Sequence, residues 1–371
     1  MSEHANVRRV VIKVGASVLT DESGRLVPSR LEALTAQIVA CHRQGRQAML
    51  VSSGAIACGM AKLNLPRRPK GMAQLQACAA IGQSELMHLY TLAFGARGVT
   101  TAQVLLTQDD LANRTRFANA KQTLLTLLHR RVVPIINEND TVATDEITFG
   151  DNDRLAALAA AAVDAQLLVI LSDVDGLLQD GKLIDRVETL NHGHRAAIRA
   201  STRETTKGGM ASKLEAARIV GHHGIPMIIA NGTRASVLSD VLAGQPVGTL
   251  FVPPRNRLSP RKWWIAFSLR EPRGELIVDG GAVQALQVGG KSLLPSGVVA
   301  VNGRFEAGAF VAIKDEGRAE VARGVSNYSS AELLRVRGMK SADAARTLGL
   351  AKAREVVHRD HLVLAKELHA S

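Results

Sequence analysis

The sequence predicts an α/β fold, a three-layer sandwich around a mainly parallel sheet, followed by a small β-barrel-like module. Three observations predict it. Buried-type apolar runs alternate with helical patterns as far as residue 250. A Pro- and Arg-rich stretch without periodicity, PPRNRLSPRKWW at residues 253–264, breaks the pattern. After it come short strand-like pieces separated by glycine turns.

Taken in order, the strand candidates of the first region are VVIKV at 10–14, AMLVS at 48–52, VVPII at 132–136, LLVIL at 167–171 and PMIIA at 226–230. Helix signals lie between them. Ser29 precedes LEALTAQIVACHRQ, which Gly45 ends, and Ser212 precedes KLEAARIVGHH, which Gly224 ends. Strand and helix in alternation imply parallel strands joined by crossovers. Beyond the break, ELIVD, GVVAV, AFVAI and RGVSN read as strands of a compact β module. The expected organisation is a catalytic domain over 1–253, a linker over 254–273, the β module over 274–350 and a helical tail over 351–371.

Composition removes several classes. With 371 residues, 46% hydrophobic and 22% charged, the chain is neither disordered nor fibrous. No apolar run approaches the roughly 18 residues of a membrane span, and the start MSEHANVRRVVIKVG lacks a signal-peptide core. Cys41, Cys58 and Cys78 suit neither a disulfide framework nor a structural zinc site, so a reducing cytoplasm is expected. The net charge of +12 favours anionic ligands. It is concentrated in the shorter part: residues 1–252 hold 27 basic against 22 acidic residues, the remainder 19 against 12.

In a parallel sheet, ligands bind beyond the carboxyl ends of the strands, so the residues following each apolar run matter most. Those residues are Lys13, Gly15, Ala16 and Ser17; Ser52, Ser53, Gly54 and Ala55; Asn137, Glu138, Asn139 and Asp140; and Ser172, Asp173, Asp175 and Gly176. Polar and Gly-rich turns of this kind cradle phosphate oxygens with backbone N–H groups. GDNDR at 150–154 and KGGMASK at 207–213 add two clusters, the second suited to close backbone approach to a triphosphate. A lysine inside an apolar strand, as Lys13 is, requires an anion beside it, either a structural carboxylate or a ligand.

Three other segments imitate motifs and fail in detail. Residues 176–182 spell GxxxxGK, but Leu183 stands where a magnesium-binding hydroxyl is needed. GGKS at 289–292 has Ala285 in place of the first P-loop glycine, and His358, Arg359 and Asp360 lack the downstream Asn of a protein-kinase catalytic loop.

The ordered set IKVGASVL, SSGAIACG, NENDTVATDEITFGDND, LSDVDGL and KGGMASK resembles the amino-acid kinase family, and the β-rich end resembles an appended PUA domain. The resemblance spans about residues 10–350, and within the family it points to members acting on the γ-carboxylate of L-glutamate, the first step of proline synthesis. It implies ATP as phosphoryl donor and magnesium as its counter-ion. By the same resemblance Lys13 and Lys213 offset charge on the migrating group and Asp153 orients their ammonium groups. Lys13, Gly15, Ser172, Asp173, Lys207, Gly208, Gly209, Met210, Ala211, Ser212 and Lys213 would hold the nucleotide. Ser172 and Lys207 depart from the family by standing where threonines are expected.

For the substrate, Asp140 would pair with the ammonium group, while Asn152 and the Ser53/Gly54 turn would donate to the α-carboxylate. Asn137 joins this set, although Asn137 and Asn139 equally suit an Asx turn. The excursion at 141–149 would cover the site. The resemblance also implies a homo-oligomer, tetramer or dimer, built on helices such as residues 71–94, and feedback inhibition by proline. The nearer rival is another kinase of the same fold acting on acetylglutamate, aspartate, carbamate or uridylate, against which Asp140 discriminates because an acetylated amine carries no positive charge; RNA contact through the β module forms a second class of function. Its only aromatics are Phe305, Phe310 and Tyr328, and no basic run exceeds two residues, which counts against it.

Overall fold

The computed structural model describes residues 6–22, 24–142, 151–189, 209–255, 257–267, 272–352 and 354–369. The chain divides into two compact units, Met1–Arg257 and Leu258–Ser371.

The first unit runs β1 (Arg9–Val14), α1 (Ala16–Leu19), α2 (Pro28–Arg43), β2 (Gln47–Ser52), α3 (Ala55–Lys62), α4 (Met72–Gly95), β3 (Thr101–Leu106), α5 (Gln108–Ala112), α6 (Arg114–His129) and β4 (Val133–Glu138). It continues through α7 (Asp151–Ala162), β5 (Leu167–Ser172), β6 (Leu178–Gln179), β7 (Lys182–Leu183), β8 (Arg186–Val187), α8 (Gly209–His223), β9 (Met227–Asn231), α9 (Val237–Leu242) and β10 (Thr249–Phe251). Eight strands form one sheet in the order β3-β4-β2-β1-β5-β9-β10-β8. The pairings from β3 to β9 are parallel, and β10 turns antiparallel to β9.

The strand order reverses at β1. The chain leaves β1 for β2 on one side and, after β4, returns to β5 on the other, so the crevice of this switch point opens beyond β1. Alternation along β1 sends Val10, Ile12 and Val14 into a core with α2 and α4 residues such as Leu31, Ile38, Leu86 and Phe94. Lys13 therefore belongs to the opposite face, which α7 covers by packing on β1, β2, β4 and β5. The run Leu155–Ala162 of α7 is entirely buried and rich in alanine, which lets this helix lie close against the sheet.

Local signals differ from expectation at three places. Helix α2 starts at Pro28 with Val27 as its cap and no side-chain cap bond, so Ser29 is not the cap: Pro28 supplies a fixed φ at the first turn. Helix α8 includes Gly209, and Ser212 lies within it, turned toward a carboxylate rather than capping. Strand β3 has no counterpart among the apolar runs because it is an edge strand with mostly half-buried residues.

The second unit contains α10 (Pro260–Phe267), β11 (Gly274–Val278), α11 (Gly280–Gln287), β12 (Val298–Asn302), β13 (Phe310–Asp315), β14 (Glu320–Val325), α12 (Ser330–Val336), α13 (Ser341–Leu348), β15 (Leu362–Leu364) and α14 (Ala365–His369). Its sheet has the order β12-β11-β13-β14-β15. Two boundaries need correction. The 254–273 stretch is not a plain linker, because α10 buries Trp263, Ile265, Ala266 and Phe267, with the Trp263 and Phe267 rings 5.9 Å apart. The 351–371 stretch is not a helical tail: β15 pairs antiparallel with β14, and Val356, Val357 and Val363 are fully buried. The elements α10 and β15 within them are short, and packing rather than periodicity assigns them. Phe305, Phe310 and Tyr328 are buried as well, so none offers a ring for base stacking.

Candidate active site

Lys13 on β1, Asp153 in the first turn of α7 and Lys213 on α8 converge. The Lys13 ammonium lies 2.6 Å from Asp153 Oδ1, and the Lys213 ammonium 3.3 Å from Oδ2 of the same carboxylate. Ser212 donates its hydroxyl to Oδ2 at 2.7 Å, and Lys213 donates back to the Gly209 carbonyl at 3.0 Å. Asp153 is fully buried, and the two lysines are 5% and 7% exposed. Three charges out of water require such pairing, since one buried ammonium without an anion costs several kcal/mol, about as much as a buried pair loses when broken.

Burial depresses the Lys13 pKa; Asp153 opposes that shift and Lys213 adds to it. For Asp153, burial alone would raise the pKa, but the two ammonium groups outweigh it and hold the carboxyl below the ordinary range.

Beside it the turns at the strand ends assemble as the topology requires. Gly15 donates to the Leu171 carbonyl at 3.0 Å, tying the end of β1 to β5. Ser172 is buried and donates to the exposed Asp173 carboxylate at 3.0 Å, and Asp173 lies near enough to raise the Lys13 pKa. Met210 is half-buried and Ala211 exposed on the first turn of α8. Lys207 and Gly208 lie outside the described residues.

A second cluster lies at the ends of β2 and β4. Gly54 occupies the left-handed region with φ +114° as the cap of α3, a conformation that demands glycine. The Asn152 amide nitrogen donates to the Ser52 carbonyl, the Ser53 hydroxyl oxygen and Asn137 Oδ1 at 3.2, 3.0 and 2.9 Å. With two hydrogens serving three acceptors, it has none left for a substrate carboxylate, so the donor role expected of Asn152 does not fit. Asn137 is 3% exposed and joins Asn152 to helix α4, rather than closing a turn, whereas Asn139 accepts from Thr141 locally. Asp140 is half-buried and faces Arg68, whose pKa it raises against the lowering effect of burial. Of the 141–149 excursion, residues 143–149 lie outside the described set.

Sequence reasoning passed over Gln83 and Tyr90 on α4. Gln83 accepts from Asn137 at 2.8 Å, and Tyr90 hydrogen-bonds Ser52 Oγ at 2.9 Å. Their spacing of seven, two helical turns, is the available signal.

Residues 8–231 match the amino acid kinase family and residues 274–348 the PUA domain. The chain belongs to the amino acid kinase family. Among its relatives, the glutamate 5-kinase of Geobacter sp. (strain M21) is 47% identical over 365 residues, 96% of this chain and 98% of the relative. Those of Geobacter sulfurreducens and Caldanaerobacter subterraneus subsp. tengcongensis are each 46% identical, over 97% and 96% of this chain and 98% and 97% of theirs.

Family membership implies ATP use, and the residues fit its phosphates. A Cβ on Gly15 would sit 4.0 Å from the Lys13 ammonium, and a Cβ on Gly209 4.0 Å from that of Lys213. Backbone without a side chain thus lies beside each cation, a setting that suits phosphate oxygens. Among the described residues no three His, Cys, Asp or Glu side chains form a metal-holding group. No helix among them is long and apolar enough to cross a membrane.

Proposed function

We propose that this protein transfers the terminal phosphoryl group of ATP to the γ-carboxylate of L-glutamate, giving γ-glutamyl phosphate, the first step of proline biosynthesis. The observation that carries the chemistry is the convergence of Lys13 and Lys213 on the single carboxylate of Asp153. The relatives named glutamate 5-kinase support the choice of substrate.

A glutamate side chain, with an ordinary pKa of about 4.3, is already ionised at neutral pH, so the attacking oxygen requires no general base. Catalysis reduces to alignment and charge neutralisation. Lys13 and Lys213 are the cations that offset charge on the migrating phosphoryl group, and Asp153 fixes the direction of both ammonium groups. Gly15, Ser172, Asp173 and the 207–213 segment hold the nucleotide. Magnesium would supply further charge neutralisation when bound with ATP, and Asp173, exposed and close enough to act on Lys13, would face it.

At the acceptor end, Asp140 pairs with the substrate ammonium. The Ser53 backbone N–H is already donated to the Val14 carbonyl at 3.2 Å. The donors left for the α-carboxylate are therefore the Ser53 hydroxyl and the first N–H groups of α3 behind Gly54. The same reading makes the enzyme cytoplasmic, a homo-oligomer using α4, which exposes Ile81 and Leu92, and a target of proline binding at the glutamate site.

The test is ATP turnover with glutamate, aspartate, N-acetylglutamate, carbamate and UMP in parallel, with hydroxylamine present. Glutamate-dependent ADP release together with a trapped γ-hydroxamate is expected. Preference for any other acceptor would overturn the assignment.

A further inference from the structure

The polarity of the asparagine cluster is set by the backbone at both ends. The Glu138 N–H can only donate, so the atom it meets at 2.9 Å is Asn137 Oδ1. The Ser52 carbonyl can only accept, so the Asn152 atom 3.2 Å away is Nδ2. These two assignments agree with the Asn152-to-Asn137 bond of 2.9 Å and leave Asn137 Nδ2 facing α4. There Gln83 Oε1 accepts it at 2.8 Å. One consequence is left over: Asn152 Oδ1 is buried, and no described residue donates to it. A buried acceptor without a donor costs about 1–3 kcal/mol, so a ligand N–H is the group that would satisfy it.

We propose that Gln83, assisted by Tyr90, is a positioning residue that locks the Asn137–Asn152 pair so that the Asn152 carbonyl oxygen receives the substrate's ammonium group. This rests on the reading of glutamate as the acceptor substrate. The ammonium is then read by two oxygens, one charged on Asp140 and one neutral on Asn152. Gln83 acts through Asn137, whose buried amide would otherwise lack an acceptor and rotate. Tyr90, fully buried, holds the Ser52 hydroxyl, and the carbonyl of that residue anchors Asn152. Both side chains leave the same face of one 24-residue helix.

The test compares glutamate with glutarate, which keeps the reacting carboxylate and lacks the α-ammonium, on the full-length enzyme; where glutarate is not turned over, its inhibition constant replaces its KM. In Gln83→Leu the preference for glutamate over glutarate falls about tenfold through KM for glutamate, while KM for ATP stays within about twofold. Gln83→Glu, which retains an acceptor oxygen, restores most of the preference. Should Gln83→Leu fail to fold, Tyr90→Phe answers the same question, with an expected loss of about threefold. An unchanged glutamate-to-glutarate ratio in the folded variant, or equal losses for glutamate, glutarate and ATP, would overturn the proposal. Absence of glutamate turnover in the unsubstituted enzyme would instead remove the substrate reading beneath it.

Discussion

Asp153 is the side chain on which most of the site's electrostatics turns. Replacing it by Asn leaves two buried ammonium groups without an anion, so Asp153→Asn is expected to lose about 3–5 kcal/mol of stability, measured by denaturant titration, and at least about a hundredfold in kcat. Its folded pKa lies below the unfolded one, so its contribution is present at neutral pH and is lost as pH falls below the ordinary aspartate value; the variant lacks that acid slope. For Lys13 the sign is opposite in consequence. Burial lowers its pKa, so its active, charged form disappears at lower pH than that of an ordinary lysine. The alkaline limb of kcat/KM for ATP should set in below about pH 10.4, and a profile flat beyond that point would contradict a role for the charged form. Asp140→Ala should raise KM for glutamate at least tenfold (about 1.4 kcal/mol) with little change in KM for ATP, as steady-state kinetics will show. Lys213→Ala should depress kcat while leaving KM for glutamate nearly unchanged.

Helix α4 illustrates what an element contributes beyond its residues. Its packing against α3 depends on two missing side chains: a Cβ on Gly82 would overlap the Ala55 carbonyl, and one on Gly59 would overlap the backbone of Cys78. In both cases the obstacle is backbone, which cannot swing aside. Gly82→Ala should therefore destabilise the protein by about 2–3 kcal/mol, visible as a lowered Tm, and displace Gln83 next to it. Elements with a continuous apolar run, β1, β2, β4, β5 and β9, were legible as sequence because a strand buried on both faces needs an apolar side chain at nearly every position. Edge strand β3 was not, since Thr101 to Leu106 are mostly half-buried and carry no such run. The short β15 was hidden for a related reason: three residues show no period, and only pairing with β14 makes them a strand.

At the scale of the molecule, the two units have separate cores, one around β1, α2 and α4 and one joining β11 and β13 to Tyr328 and Val356. Removing residues 351–371 should strip the second unit of β15 and of buried Val356, Val357 and Val363, and limited proteolysis should then cut within 258–350 while 1–257 persists. By itself the sequence determined the α/β class and the two-part organisation, because burial restricts each position locally, while resemblance to a family singled out Lys13, Asp153 and Lys213. Only the tertiary structure decided that Lys13, Asp153 and Lys213, 140 and 60 residues apart along the chain, share one carboxylate. It also decided that the Asn152 amide is spent on Ser52, Ser53 and Asn137, leaving its oxygen available. Hydrogen-bond polarity depends on which partners meet across a sheet and a helix, and no spacing in a linear chain carries that information.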